Sequence, residues 1–338
     1  MKNSFNKKIL EKAYEWIKDN QKIVMITVVK TWGSSPKPIG SKMIINESKE
    51  FFGSVSGGCI ESFIIQESLE LIKKNESFKI KTFKISNENA WNVGLSCGGE
   101  ITVYLEGMNS KEKALEQIIT KQKNKLEFAL LTNLSTGENE IFETDKPLNK
   151  NFEKFTDQIS FHYLSKNNGV MEDSNIFIEC YNNPLKVIIV GAVHIAQYLT
   201  DFADKFDFEI YIIDPRNYFG TKERFPNVEI INEWPNEAFK KIKTDSNCAL
   251  IGLTHDPKID DPALQYALRE NFFYIGALGS KKTHENRCDR LKKAGFTRSE
   301  IESIHGPIGI KLGGKSAPEI ALSIIAQLVN ELYKNKIL

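Results

Sequence analysis

The sequence predicts a two-domain α/β protein, in which a mixed-sheet N-terminal domain precedes a C-terminal domain built on a parallel sheet. Its 338 residues are enough for two domains of ordinary size. From residue 185 onward, apolar runs of strand length alternate with helical segments, which is typical of a parallel sheet covered on both faces. We expect an N-terminal domain at 1–108, a connecting helix and hairpin region at 109–183 packed with it, and a C-terminal domain at 184–338.

Local patterns predict the elements of the first half in order. Apolar residues at helical spacing predict a helix over 6–19, and β-branched residues predict a strand at 22–30. Residues 31–40 contain two prolines, two glycines and two serines, and therefore form a predicted loop. The elements that follow are strands at 42–45 and 51–55, a helix ending near residue 74, strands at 78–85 and 100–105, a helical stretch at 109–125, and a hairpin formed by 127–133 and 140–143.

A glycine turn follows the first predicted strand of the C-terminal domain. Gly191 begins the turn, and Asp214 lies 23 residues later. This spacing is close to the roughly 20 residues at which an acidic side chain meets a ribose hydroxyl in dinucleotide-binding proteins. Val193 stands where such turns carry a second glycine, which counts against ordinary NAD(P) binding because the phosphate approaches the backbone closely there. The predicted strands are 186–190, 209–213, 228–231, 248–253 and 272–275, and together with the turn they predict a Rossmann-like domain.

Composition excludes several classes of partner. The chain has 45 basic and 44 acidic residues, a formal net charge of +1, so no overall field attracts nucleic acid. Apolar stretches such as 320–329 are about half the roughly 20 residues that cross a bilayer, so we expect no membrane insertion. Residues 1–16 lack the apolar core of a signal peptide. Five cysteines then indicate reduced thiols and a cytoplasmic location.

The first candidate site is a pair of glycines beside a cysteine. Ser56, Gly57, Gly58 and Cys59 lie at a predicted strand-to-helix turn. Backbone amides and the positive end of the helix dipole favour a thiolate at such a position, and a thiolate binds metals and attacks electrophiles. The alternative is a small buried thiol that only packs under the helix.

A second element of the same kind precedes the strand at 100–105. It consists of Ser96, Cys97, Gly98 and Gly99. The two elements together predict one cleft lined by two soft ligands, or by one ligand and one nucleophile. They do not form a zinc signature, because the sequence has no C-x2-C spacing and no paired histidines nearby.

The C-terminal domain contains further positions suited to an anion. Gly279, Ser280 and Lys281 follow a predicted strand and precede a basic helix, so loop amides and cations can converge on a phosphate there. His194 and His255 lie at predicted strand ends, where open α/β sheets gather ligands. A solvated basic helix start is the alternative for Gly279, Ser280 and Lys281, and ordinary loop hydrogen bonding is the alternative for the two histidines.

The ordered set of motifs resembles the XdhC/CoxI-like family, the accessory proteins of xanthine dehydrogenase and related molybdenum hydroxylases. The resemblance covers nearly the whole chain and implies a protein that binds the molybdenum cofactor. It also implies that the protein protects the cofactor while a cysteine desulfurase installs a terminal sulfur, and delivers it to the apoenzyme of a hydroxylase. The motifs are residues 31–36 with Gly40, 53–61, 95–99, 191–196, 214–216, 225–226, 254–256, 276–280 and 305–309.

The resemblance also implies roles for the candidate residues. Cys97, preferred to Cys59, is expected to contact the molybdenum ligand sphere, and the C-terminal domain is expected to hold the phosphate or dinucleotide end. The bound form is molybdopterin or its cytosine dinucleotide. The family further suggests a homodimer and a carrier or insertion chaperone rather than an enzyme.

Three alternatives remain open at the level of sequence. The first is an NAD(P)-dependent oxidoreductase that uses the Rossmann-like domain. The second is a scaffold that docks the hydroxylase without touching the cofactor, in which case the Gly-Cys elements are structural turns. The third is a sulfur transferase with a persulfide on Cys59 or Cys97.

Overall fold

The computed structural model describes residues 3–33, 37–58, 60–84, 99–109, 111–206 and 208–334. Its internal contacts divide the chain into two compact units, one ending at Asn183 and the other beginning at Pro184. We call them the N-terminal unit and the C-terminal unit. No helix within the described ranges combines the length and the apolar character needed to cross a membrane.

A five-stranded sheet with the order β3-β2-β1-β5-β4 forms the first half of the N-terminal unit. All of its pairings are antiparallel, which corrects the expected mixed sheet. The helix between β3 and β4 carries the chain from one edge of the sheet to the other, so the strands that run in the same direction are never neighbours. The elements are α1 (Asn3–Lys18), β1 (Ile23–Gly33), β2 (Lys42–Asn46), β3 (Phe51–Gly53), α2 (Glu61–Lys74), β4 (Phe78–Lys84) and β5 (Gly99–Gly107).

Helices cover both faces of this sheet. Alternate residues of a strand point to opposite faces, so Met25 joins the buried cluster under α1, whereas Ile26 joins the cluster under α2. Ile9 of α1 and Ile64 of α2 are fully buried in these two clusters. Strand β1 is therefore apolar at nearly every position of its first half instead of alternating.

A second antiparallel sheet, with the order β7-β6-β9-β8, completes the N-terminal unit. An ion pair between Lys42 of β2 and Glu179 of β9 joins the two sheets, with Nζ 2.9 Å from Oε2 and both side chains about 95% buried. The elements are α3 (Glu112–Lys123), β6 (Phe128–Asn133), β7 (Asn139–Phe142), α4 (Lys150–Glu153), α5 (Thr156–Leu164), β8 (Gly169–Val170) and β9 (Ile176–Tyr181).

The C-terminal unit contains a six-stranded parallel sheet with the order β12-β11-β10-β13-β14-β15. In chain order this is 3-2-1-4-5-6, the order of the Rossmann fold, which confirms the predicted fold class. The elements are β10 (Lys186–Val190), α6 (His194–Asp204), β11 (Glu209–Ile213), β12 (Glu229–Ile231), α7 (Pro235–Ala238), β13 (Cys248–Gly252), α8 (Pro257–Arg269), β14 (Tyr274–Ala277), α9 (Lys281–Lys293), α10 (Arg298–Glu302), β15 (Ile304–His305) and α11 (Ala317–Lys334).

Candidate functional site

The candidate residues of the C-terminal unit lie at one edge of the parallel sheet. Val190 pairs in register with Ile213 and with Gly252, so β10, β11 and β13 end level with one another. The chain order reverses between β10 and β13, and open α/β sheets bind ligands at such a switch point. The structure places the following predicted residues on the loops and helix starts that leave this edge: Gly191, His194, Asp214, His255, Gly279, Ser280 and Lys281.

The turn after β10 requires glycine at its first position. Gly191 has φ +109°, and a Cβ added there would lie 2.6 Å from Cγ2 of Thr254 and 3.2 Å from its backbone nitrogen. Val193, in contrast, has φ −79° and ψ 175°, an extended conformation that a β-branched residue adopts readily. The missing second glycine therefore leaves the path of the backbone unchanged and adds only a side chain.

The Gly191→Ala variant is expected to lose about 2 kcal/mol of stability in the C-terminal unit, because alanine disfavours a positive φ and its Cβ overlaps Thr254. Thermal unfolding followed by circular dichroism measures the loss. Gly313→Ala is the matched control, since Gly313 also has a positive φ, +88°, but nothing lies within 4 Å of an added Cβ. Equal losses in the two variants would contradict a role for the contact between Gly191 and Thr254.

Helix α6 begins at this turn without a protein cap. Its N-cap residue Val193 makes no side-chain hydrogen bond, and its first turn contains no acidic residue. An uncapped helix start presents backbone N–H groups and the positive end of the helix dipole, which together suit a phosphate. His194, the first helical residue, is exposed, and its ring meets the ring of Tyr198 edge-on at 5.2 Å between centroids.

Asp214 is turned toward the protein. The residue is fully buried, and its Oδ2 accepts hydrogen bonds from the Ala192 amide and from Nη2 of Arg216, each at 2.8 Å. Its Oδ1 accepts from the Arg216 amide at 3.0 Å and from Nε at 2.9 Å. Burial raises the pKa of this carboxyl, but the hydrogen bonds from Arg216 and Ala192 outweigh it and leave the pKa below its ordinary value. Asp214 therefore holds the turn instead of extending toward a ribose.

Arg224 binds the carbonyl oxygen of the residue whose amide is held by Asp214. Nη1 of Arg224 donates to the carbonyl oxygen of Ala192 at 2.8 Å and also to the carbonyl oxygen of Phe219. The N–H and C=O groups of Ala192 are thus both occupied by groups from the segment after β11. The turn is preorganised by the protein itself.

His255 lies at the end of β13, where Asp260 shapes the loop. The amide of His255 donates to Oδ2 of Asp260 at 3.1 Å, and Oγ1 of Thr254 donates to Oδ1 at 2.6 Å. His255 itself is exposed and has φ +63°. Burial raises the pKa of Asp260, although the hydrogen bonds from Thr254 and His255 oppose that effect. Asp260 lies five positions after His255, and its carboxylate is the acceptor that Thr254 and His255 share.

Ser280 acts as the N-cap of α9. Its Oγ accepts a hydrogen bond from the Thr283 amide at 3.1 Å, a helix cap that was not predicted from the sequence. Gly279 has φ +146°, and an added Cβ would lie 2.9 Å from Cγ2 of Thr283. Lys281 is exposed at the start of the helix. Arg287 is buried behind this loop, where its Nη2 donates to the carbonyl oxygen of Leu278 at 2.8 Å.

In the N-terminal unit, the loop between β3 and α2 is organised by Glu61. Its carboxylate accepts hydrogen bonds from the Ser54 hydroxyl at 2.8 Å, the Ser56 hydroxyl, and the amides of Ser56, Gly58 and Ile60 at 3.0, 2.9 and 3.2 Å. Burial raises the pKa of Glu61, but these hydrogen bonds outweigh it and lower the pKa to about 2. The loop amides thus already have an anionic acceptor. Glu61 is not among the site residues predicted from the sequence, although an acidic residue in the first turn of a helix is a common signal of a helix start.

The structure describes part of each Gly-Cys element. Ser56 is buried, while Gly57 and Gly58 are exposed with φ of +74° and +111°. Cys59, Ser96, Cys97 and Gly98 lie outside the described residues, so their predicted roles stay predictions. The described ranges contain no group of three or more His, Cys, Asp or Glu side chains placed to hold a metal.

Gly99 starts β5 far from the end of β3. It pairs with Gly33 at the tip of β1, whereas Gly53 lies level with Met43, Ile26 and Leu105. Six residues separate Gly99 from Leu105 along β5. At about 3.3 Å per residue the two levels are roughly 20 Å apart along the sheet. A single cleft lined by both Gly-Cys elements has to span that distance.

Comparisons with known proteins agree with this architecture. The model of the XdhC and CoxI family matches residues 16–84, and the model of the XdhC Rossmann domain matches residues 187–328. A solved structure described as a xanthine dehydrogenase from Bacillus halodurans has the same fold, with a TM-score of 0.77, 23% identity and coverage of 96% of both chains.

Two curated relatives are similar over nearly their whole length. The "Molybdenum cofactor insertion chaperone PaoD" of Escherichia coli (strain K12) is 27% identical over 323 residues, which cover 95% of this chain and 87% of the relative. A probable xanthine dehydrogenase subunit from Bacillus subtilis (strain 168) is 24% identical over 331 residues, covering 93% of this chain and 94% of the relative. Fold and edge geometry define a two-unit α/β protein with a Rossmann domain. The chain belongs to the XdhC and CoxI family.

Proposed function

We propose that this chain is an accessory protein of a molybdenum hydroxylase of the xanthine dehydrogenase type. It binds the molybdenum cofactor, protects it during sulfuration by a cysteine desulfurase, and delivers it to the apoenzyme. The observation that carries the proposal is the similarity to a molybdenum cofactor insertion chaperone over 95% of the chain, with family matches in both units. The proposal includes a cytoplasmic location and a homodimer.

The C-terminal unit fits the phosphate end of such a cofactor. Helix α6 starts without a side-chain cap, at a turn that Asp214 and Arg224 hold in place. An anionic group that approaches this turn meets amides and a helix dipole that need no rearrangement. Gly191, His194, His255 and the loop of Gly279, Ser280 and Lys281 surround the same edge, and we assign this edge to the phosphate or dinucleotide end.

The N-terminal unit supplies the proposed contacts to the metal. When bound, the cofactor presents a molybdenum dithiolene centre, for which a thiolate is a suitable soft ligand. Cys59 stands in the sequence between Gly58 and Ile60, whose amides donate to Glu61, and Cys97 precedes Gly99 at the start of β5. We propose that one of the two thiolates, with Cys97 preferred, enters the molybdenum ligand sphere.

Anaerobic titration with the molybdenum cofactor tests both parts of the proposal. We expect stoichiometric binding by the natural chain, read as pterin fluorescence after oxidation of the bound fraction. Cys97→Ala should weaken binding about tenfold or more, since it removes a metal ligand. Cys288→Ala, which removes a partly exposed thiol of the C-terminal unit, serves as the control and should bind normally.

Two results would contradict the proposal. Absence of cofactor binding by the natural chain would reject the carrier function and favour the docking scaffold. Normal binding by the Cys59→Ala, Cys97→Ala double variant would reject the metal contact and leave the carrier function in place.

A further inference from the structure

The carboxylate of Asp214, at the end of β11, is bonded to protein groups in a way that excludes a ribose diol. A carboxylate here normally accepts hydrogen bonds from the ribose hydroxyls of a dinucleotide. The two oxygens of Asp214 already accept four hydrogen bonds, one from Ala192 and three from Arg216. A carboxylate offers about four lone-pair sites, so none is left for a diol.

The side chain exposed at this position is that of Arg216 and not that of Asp214. Its side chain is 37% exposed, whereas that of Asp214 is fully buried. Nη2 of Arg216 and the Ala192 amide nitrogen both lie 2.8 Å from Oδ2 of Asp214, so the guanidinium is at most twice that distance from the turn. A group bound at the turn is therefore within reach of Arg216.

Two further contacts hold the guanidinium in this orientation. Its carbon lies 4.2 Å from the centroid of the Phe219 ring. The Phe219 carbonyl is in turn bonded to Arg224, which also binds the Ala192 carbonyl. Stacking and the bidentate pair with Asp214 fix the plane of the guanidinium, while its Nη1 donates no hydrogen bond to any described residue. A planar, fixed arginine with remaining N–H groups matches the oxygens of a phosphate.

We infer that Arg216 makes this position selective for a phosphate monoester and closes it to a free ribose diol. The phosphate has two chemical sources, the 2′-phosphate of a nucleotide ribose and the side-chain phosphate of a pterin. In the second case the inference deepens the proposed function and rests on it. In both cases a dinucleotide with an unmodified diol, such as NAD⁺, is a poor ligand.

Two pairs of probes that differ only by one phosphate test the inference on the full-length chain. One pair is NADP⁺ and NAD⁺, and the other is the phosphorylated pterin released by oxidation of the cofactor and the same pterin after phosphatase treatment. Titration calorimetry is expected to show, in at least one pair, about tenfold tighter binding of the phosphorylated member. The pair that shows the preference identifies the source of the phosphate.

Variants connect the preference to Arg216. Arg216→Gln should reduce the preference to less than about twofold. Arg290→Gln is the matched control, because Arg290 is also 37% exposed and also forms a bidentate pair, with Asp261, elsewhere in the unit. Arg216→Lys keeps a positive charge beside Asp214 and replaces the glutamine variant if that one fails to fold. A lysine presents a single ammonium group instead of the paired N–H groups of a guanidinium, so the preference for the phosphorylated probe should still fall severalfold.

The inference and the proposed function fail separately. The inference would be overturned by equal binding within both pairs or by no binding of any of the four probes. It would also be overturned by a preference for the phosphorylated probe that survives in Arg216→Gln or is unchanged in Arg216→Lys. If the intact molybdenum cofactor fails to bind while the NADP⁺ preference is present, the proposed function fails and the inference stands. If the cofactor binds equally to the natural chain and to Arg216→Gln, and neither pair shows a preference, the proposed function stands alone.

Discussion

Replacing Glu61 by alanine is expected to destabilise the N-terminal unit by about 3 kcal/mol. The carboxylate accepts five hydrogen bonds, three of them from backbone amides of the loop that precedes α2. Alanine leaves the Ser56 and Gly58 amides without their acceptor, leaves the Ile60 amide only the Ser56 hydroxyl, and removes the acidic residue from the first turn of α2. Chemical denaturation followed by circular dichroism measures the change, and cofactor binding should fall with it because Cys59 stands in the sequence between Gly58 and Ile60 of this loop.

Glu67→Ala provides the matched control on the same helix. Glu67 is 22% exposed and pairs with Lys79 and Lys81, so its removal should cost less than about 1 kcal/mol. Similar losses in the Glu61 and Glu67 variants would contradict the organising role of Glu61.

The same carboxylate should make stability depend on pH in the acid range. The pKa of Glu61 is about 2 in the folded chain, below its ordinary value of 4.5. A group with a depressed folded pKa stabilises the protein above its unfolded pKa, and this contribution is lost as pH falls through the folded pKa. The natural chain should therefore lose stability between about pH 4.5 and pH 2 more steeply than Glu61→Gln. Parallel curves for the two proteins would refute the assignment.

Replacing Asp214 by asparagine is expected to cost the C-terminal unit about 3 kcal/mol, because it removes the charge that Arg216 and the Ala192 amide share in a buried position. For a unit of this size the melting temperature should fall by roughly 10 °C. Differential scanning calorimetry measures the shift, and added phosphate ligand should restore part of it if the turn binds that ligand.

Asp261→Asn tests whether the loss is specific to the turn. Asp261 also pairs with an arginine, Arg290, but its side chain is 14% exposed and contacts no turn amide. We expect a change below about 1 kcal/mol for this variant. A loss of stability as large as that of Asp214→Asn would show that a carboxylate–arginine pair elsewhere in the unit contributes as much stability as the pair at the turn.

The predicted elements agree with the observed ones where local patterns decide the structure. The alternation after residue 185 predicts the strands and helices of the parallel sheet, because parallel strands buried on both faces are apolar throughout. The predicted helix over 6–19 corresponds to α1, Asn3–Lys18. Strand β1, in contrast, continues to Gly33 into the predicted loop, because residues 30–33 pair with β5, which is distant in sequence.

The fold class, the family and the segments that carry candidate chemistry follow from local patterns, since they depend on hydrophobic periodicity and on glycines and cysteines at fixed spacings. The contacts of the acidic residues, in contrast, depend on tertiary packing. The spacing of Asp214 predicts a contact with a ribose, but the residue binds Ala192 and Arg216 instead, and Glu61 accepts hydrogen bonds from loop amides of Ser56, Gly58 and Ile60. The reason is physical: a carboxylate at a strand end or helix start accepts the nearest free donors. Which donors are nearest depends on how distant segments pack, and no local pattern records it.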